Sequence, residues 1–208
     1  GTPWAVPIAV QGLVWYYNKT LLRQAGLGPK QVPDTWEKFL AACKAVTELG
    51  KAGVAMGEKE GFWGEWFVNS AYMQTFVPGD KERLRDGRMK WTDPKLVAVL
   101  EKLKELSDRG YFQKGAMSTP LFPDAGEVFM RGEAAFFLGL ISDVARWREF
   151  GEILGPENLG VMTFPVFGNS PDARKFPTGG AFAYAVTKWS PHPKEAFEYI
   201  SFIANDEH

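Results

Sequence analysis

Val6-Pro7-Ile8-Ala9-Val10-Gln11-Gly12-Leu13-Val14-Trp15-Tyr16-Tyr17-Asn18-Lys19-Thr20-Leu21-Leu22 is the stretch on which the fold turns. Residues 6–15 are rich in Val, Ile and aromatics, which suit a pleated, half-buried strand. The pattern changes at Asn18. Its side chain can accept from the first free N–H groups of a short helix over Lys19 to Ala25, and Gly26 can close that helix. A second start follows at Pro33-Asp34-Thr35-Trp36-Glu37, where Asp34 and Glu37 are spaced like a capping box. It predicts a helix from Thr35 to Leu49, with Gly50 just beyond its end.

Further along, strands and helices alternate. Gly53-Val54-Ala55-Met56 reads as a short strand, and Gly57 to Gly64 as a loop rich in Gly, Glu and Lys. Phe62-Trp63-Gly64-Glu65-Trp66 leads into a helix ending near Pro78. Arg88-Met89-Lys90-Trp91 reads as a short strand. Asp93 and Pro94 open the clearest helix; Leu96, Val99, Leu100, Leu103 and Leu106 form its apolar stripe, and Gly110 ends it. Pro120 to Pro123 is a break, and Asp124 to Arg131 a helix stopped by Gly132. The continuous apolar run Ala134 to Gly139 predicts a strand buried on both faces. Ser142 is placed to cap a helix running through Phe150, and Leu159 to Phe164 is another strand. Pro165 to Pro177 is a loop by its Pro, Gly, Asn and Ser content. Gly179-Gly180 opens a strand over Ala181 to Thr187, and Ser190-Pro191-His192-Pro193 starts a final helix. This alternation predicts a layered α/β fold.

The totals narrow the function. The 208 residues suffice for one large domain or two small ones, and 45% hydrophobic content can form a core. A formal net charge of -1 gives no concentrated basic footprint, so no nucleic-acid partner is expected. The single cysteine, Cys43, lies on the helical stripe Trp36, Phe39, Leu40, Cys43, Val46 and reads as a buried small hydrophobe. No apolar run reaches 18 residues, so no membrane span is expected. No secretory leader is visible, though the chain starts at Gly1 rather than Met. His192 and His208 are the only histidines, and neither has a neighbour at metal-ligand spacing. Neither belongs to a nucleophile motif, and no dinucleotide or P-loop fingerprint is present. No metal, cofactor or catalytic residue is expected.

The span Val6 to Phe39 resembles the extracellular solute-binding proteins of ABC sugar importers, in the branch that includes maltodextrin-binding proteins. Phe129-x-x-Gly132-Glu133-Ala134-Ala135-Phe136, the strand Gly160 to Pro165, and Gly179-Gly180 followed by Lys194-Glu195-Ala196-Phe197-Glu198-Tyr199-Ile200 continue the family order. The resemblance implies an α/β, periplasmic-binding-protein type II architecture, mainly one lobe plus hinge strands, with most of the first lobe outside this stretch. Residues 1–15 would be the first crossing strand. Residues 16–165 would be the second lobe, and 166–208 the second crossing with a returning piece of the first.

It also implies a function: capture of a mono- or oligosaccharide in a cleft between lobes, and delivery to ABC permease subunits in the membrane. The protein would act outside the cytoplasm, in the periplasm or anchored by lipid, as a monomer when complete. Gln11 stands where maltodextrin-binding relatives carry a ligand-binding carboxylate. Phe62, Trp63 and Trp66 stand where relatives place an aromatic segment that stacks on sugar, and at least one of them is expected to line the cleft. Ser142 replaces a stacking Trp of many relatives, which favours a smaller sugar, while the neighbouring Asp143 can accept sugar hydroxyls. Gly179 and Gly180 would allow close approach and bending at the hinge. Two rivals stand beside this reading. One is a same-fold binder of a polyamine, phosphate ester or peptide. The other is a glycan-active enzyme using Glu60 or Glu65.

Overall fold

The computed structural model describes residues 5–28, 31–180 and 182–205. The chain divides into two compact units, one formed by Gly1–Gly12 with Thr178–His208 and the other by Leu13–Pro177.

The larger unit is built on a mixed sheet of β2 (Val10–Asn18), β3 (Ala52–Ala55), β4 (Ala134–Leu140) and β5 (Leu159–Met162), in the order β3-β4-β2-β5. β3 runs parallel to β4, and β2 is antiparallel to β4 on one side and β5 on the other. Trp15 sits mid-sheet, opposite Leu138 and Met162. The run from Ala134 to Leu138 is buried throughout, as its unbroken apolarity requires.

Helices cover this sheet. Asn18 Oδ1 accepts from the Thr20 and Leu21 N–H groups and starts α1 (Lys19–Gln24). Gly26, at φ +86°, follows its end. The next helix, α2 (Trp36–Glu48), buries Trp36, Phe39, Ala42, Cys43 and Val46. Its cap is Thr35, which accepts from Lys38 N–H; Asp34 instead pairs with the Lys38 ammonium at 2.7 Å. The capping box read from Asp34 and Glu37 therefore does not form; the cap falls one residue later, at Thr35. Cys43 packs on Gly53 so closely that a Cβ there would lie 2.8 Å from its own Cβ. Burial pushes the Cys43 thiol well above its ordinary range, which fits a packing residue.

Helices α3 (Phe62–Ala71), α4 (Asp80–Arg85) and α5 (Pro94–Asp108) follow. Asp93 caps α5 through Lys95 N–H, with Pro94 as its first residue. The strand expected over Arg88–Trp91 does not form. Met89 is buried with Phe76 and Leu96, and its N–H bonds the Arg83 carbonyl at 2.8 Å. That bond folds the segment back on α4, a helix the sequence reading had missed.

Asp80 holds this corner together. Its carboxylate, 2% exposed, accepts from Lys95, Arg83 and the Val77 N–H. The hydrogen bond from Lys95, then that from Val77, holds its pKa below the ordinary carboxylate value. A lowered folded pKa means the stabilisation is present above the unfolded pKa and is lost as pH falls through the folded one. Asp80→Asn is expected to cost about 1–3 kcal/mol at neutral pH. The difference from wild type should shrink below about pH 4, where the unfolded-state carboxyl protonates. Urea melts at pH 7 and pH 3 check this, and a pH-independent difference counts against it.

Past the π-type turn Leu121–Ala125 and α6 (Gly126–Met130), β4 leads into a 3-10 turn over Ile141–Arg146 and then α7 (Trp147–Leu154). The helix expected to start at Ser142 thus begins later. The loop before residue 178 packs on the larger unit: Gln74 Nε2 donates to the Ala173 carbonyl and Ser170 Oγ to the Phe76 carbonyl. The larger compact unit accordingly extends to Pro177.

In the smaller unit, β1 (Val6–Pro7) pairs antiparallel with β7 (Ala183–Tyr184), and Val10–Gly12 pairs with β6 (Thr178–Gly180). The strand expected over Ala181–Thr187 is shorter, and Ala181 lies outside the described residues. The last helix, α8 (Pro193–Ile203), buries Ile200 but exposes Phe197, Tyr199 and Phe202.

Candidate functional site

Because β3, β4 and β5 all run opposite to β2, their carboxyl ends share one edge of the sheet with Leu13, where β2 enters the larger unit. In open α/β sheets the crevice outside the carboxyl ends of strands is where ligands sit. Two segments leave the sheet there: residues 56–61 after β3, and Ile141–Asp143 after β4.

The first segment rests on a close contact. A Cβ at Gly57 would lie 2.6 Å from Leu121 Cα and 2.7 Å from the Pro120 carbonyl oxygen. Only glycine lets the two backbones approach so closely. Glu60 ties them further, its Oε2 accepting Leu121 N–H at 3.0 Å. Gly61, at φ +79°, then turns the chain into α3.

The spacing of α3 sorts its side chains. Trp63, Phe67, Ser70 and Ala71 face inward. Phe62, Glu65, Trp66 and Asn69 lie along the outer face, at i, i+3, i+4 and i+7. Phe62 is 53% exposed. Trp66, half-buried, meets Phe122 edge-on with centroids 5.7 Å apart. Phe122 is itself 48% exposed and follows Leu121, the residue held by Glu60. Two carboxylates thus accompany three accessible rings. Glu65 lies between Phe62 and Trp66 and accepts from Asn69 at 3.4 Å.

Trp63 does not join them. It is 0% exposed and packs against Trp15, Phe67 and Phe112, so its ring faces inward, away from Phe62 and Trp66. Three rings in five residues cannot all face one way on a helix, and the inward position fell to Trp63. Phe122 is the ring that the sequence reading missed. Its segment reads as a Pro-flanked break, and only the contact with Trp66 reveals it. Trp63 also lines a pocket of about 500 Å³, with Met56, Glu58, Leu103, Phe112 and Met117.

Ser142 is exposed at the end of β4. Asp143 is mostly buried, and its Oδ2 accepts Leu140 N–H at 2.8 Å, folding back over the strand end. In the smaller unit Gln11 faces Gly179 across the ladder, and Gly180 faces Val10. Gln11 Oε1 accepts the Gly12 N–H at 3.1 Å. A Cβ at Gly179 meets nothing within 4 Å, and its φ is not left-handed, so no contact in this structure demands glycine there. Among the described residues no group of three or more His, Cys, Asp or Glu side chains is placed to hold a metal. No helix of the described residues is long and apolar enough to cross a membrane.

The family model of the bacterial extracellular solute-binding proteins matches residues 2–208. The chain belongs to that family. Among curated relatives of this solute-binding chain, an uncharacterized ABC transporter extracellular-binding protein of Pyrococcus horikoshii is 28% identical over 198 residues, 92% of this chain and 42% of that protein. The sn-glycerol-3-phosphate-binding periplasmic protein UgpB of Escherichia coli O1:K1 / APEC is 26% identical over 207 residues, 93% of this chain and 43% of that protein. The chain therefore spans less than half the length of these relatives.

Among solved structures, a chitin oligosaccharide binding protein superposes with TM-score 0.82 at 23% identity, covering 97% of this chain and 49% of that one. A protein from a study of xylan utilization by Caldanaerobius polysaccharolyticus gives TM-score 0.84 at 23% identity, covering 96% and 50%. The fold is the periplasmic-binding-protein type II architecture expected from the sequence.

Proposed function

We propose that the larger unit is the second lobe of a carbohydrate-binding protein that serves an ABC importer. The observation that carries this reading is the exposed aromatic face of Phe62, Trp66 and Phe122 at the carboxyl edge of the sheet, flanked by Glu60 and Glu65. A pyranose has an apolar C–H face that packs on a ring, and hydroxyls that donate to carboxylates. The solved structures of the same fold are in keeping with it: one is named for chitin oligosaccharide, another was solved with raffinose.

In this reading Gln11, Gly179 and Gly180 belong to the crossing strands between lobes, and Ser142 and Asp143 to the edge after β4. The sugar is captured reversibly and released intact to permease subunits, outside the cytoplasm, by a protein that acts as a monomer. No bond in the sugar is made or broken.

A second reading, capture of a phosphate ester, is favoured by the glycerol-phosphate relatives alone. It calls for Arg side chains or helix N-termini at the site. The site segment Gly57 to Asn69 carries no Arg, and at the N-terminus of α3 the Glu58 carboxylate already accepts the Gly64 N–H at 2.8 Å.

Saturation-transfer NMR on the 208-residue chain, with a panel of di- and trisaccharides, tests the proposal. Trp66→Ala and Phe122→Ala are each expected to weaken sugar binding about tenfold, the scale of one lost stacking contact. Unchanged affinity in both variants would remove the aromatic face from the site. Hydrolysed sugar after incubation would restore the enzyme reading.

A further inference from the structure

The outer face of α3 carries an electrostatic pattern as well as an aromatic one. Between Gly57 and Asn69 there are three acids, Glu58, Glu60 and Glu65, against the single base Lys59. Glu65 stands between Phe62 and Trp66 on one helical face, and Glu60 is tied to the residue before Phe122. Among the described residues neither acid has a cationic partner; their recorded partners are the neutral Asn69 amide and the Leu121 N–H. Trp66 and Phe122 meet at 61°, forming two walls of a corner.

Rings on a helix face that also carries carboxylates without a cationic partner form an environment that suits an ammonium group. The ring faces attract a cation, and the carboxylates offer charge-assisted acceptors. The same arrangement repels a phosphate. Resting on the carbohydrate reading above, we propose that this face selects a sugar bearing a protonated amino group, and that Glu65 sets the preference. The site takes an amino sugar over its N-acylated counterpart and refuses a phosphate ester.

Three probes test this on the full 208-residue chain by saturation-transfer NMR at pH 6 in low salt. They are the β-1,4-linked disaccharide of glucosamine, its N-acetylated counterpart, and sn-glycerol 3-phosphate. The amino disaccharide is expected to bind about fivefold more tightly than the acetylated one, the scale of a single partly desolvated cation–π contact. The phosphate ester is expected to give no signal. Glu65→Gln, an exposed change, is expected to weaken the amino disaccharide several-fold more than the acetylated one, closing most of the gap between them. Glu101→Gln, an exposed acid on α5, controls for diffuse charge.

Equal binding of the two disaccharides, binding of the phosphate ester, or an equal loss in Glu101→Gln overturns the amino-sugar proposal. The carbohydrate reading survives the first and last of those results. Silence from all three probes, together with silence from the neutral panel, overturns the carbohydrate reading itself.

Discussion

Trp15→Ala is expected to lower the stability of the larger unit by about 3–5 kcal/mol, the range for deleting a buried Trp or Phe side chain. The residue is 0% exposed in the middle of the sheet. Its ring meets Phe39 at 5.1 Å, Phe164 at 5.9 Å, Trp63 at 6.3 Å and Phe67 at 6.5 Å, each edge-on. Those neighbours come from α2, α3 and the segment after β5, so one indole ties two helices and that segment to the sheet. They are themselves packed together, as with Trp36 stacked on Phe164 at 3°, and have little freedom to collapse into the space. Since whole domains are stable by only about 5–15 kcal/mol, such a loss leaves the unit close to unfolding at room temperature. Urea denaturation followed by far-UV circular dichroism measures it. A loss below about 1 kcal/mol would show that the cluster repacks freely, against the argument from close packing.

Gly57→Ala is expected to disturb structure and binding together. The new Cβ would meet the Pro120–Leu121 backbone at 2.6–2.7 Å, where no side-chain rotation relieves it. Overpacking of this kind costs about 1–3 kcal/mol. The segment pushed away carries Phe122, so the ring should shift from Trp66 and sugar affinity should fall, though residue 57 need touch no sugar. Proton–carbon spectra of the Phe122 and Trp66 rings, with the same saturation-transfer titration, follow both effects. Gly179→Ala is the matched contrast: its Cβ meets nothing within 4 Å, so the cost should stay within about 0.5 kcal/mol. If Gly57→Ala proves as mild as Gly179→Ala, the close approach at the sheet edge is not what positions Phe122.

The smaller unit shows a different balance. Phe182, Tyr184, Trp189, Phe197, Tyr199 and Phe202 are all exposed there. Large apolar side chains left exposed in such number are candidates for a contact with something else. That agrees with a chain spanning less than half the length of its relatives.

What was legible in the sequence was what neighbours in the chain decide. Asn18 as a cap, Asp93 with Pro94 at the start of α5, the apolar run of β4 and the stripe holding Cys43 all rest on contacts within a few residues, and local chemistry expresses them directly. The order of strands and helices followed from the same signals, and with it the layered α/β class and the family resemblance. Where two local signals competed, the sequence was ambiguous. Thr35 and Asp34 both cap well, and only the bridge from Thr35 to Val166, 131 residues on, shows which backbone leaves the strand conformation. Arg88–Trp91 has strand-like residues, but tertiary burial of Met89 outweighed that propensity.

The site divides along the same line. The sequence by itself determined that aromatic residues crowd the segment after β3, because composition and spacing are written there. It could not determine which ring turns inward, since that depends on how α3 rolls against Trp15 and Phe112, residues distant in the chain. Nor could it bring Phe122 to Trp66, because that contact rests on the Gly57–Leu121 approach and the Glu60 carboxylate, both of which join segments some sixty residues apart. Local hydrogen bonding and periodicity fixed the elements. Burial, which sums over the whole chain, chose the faces they present.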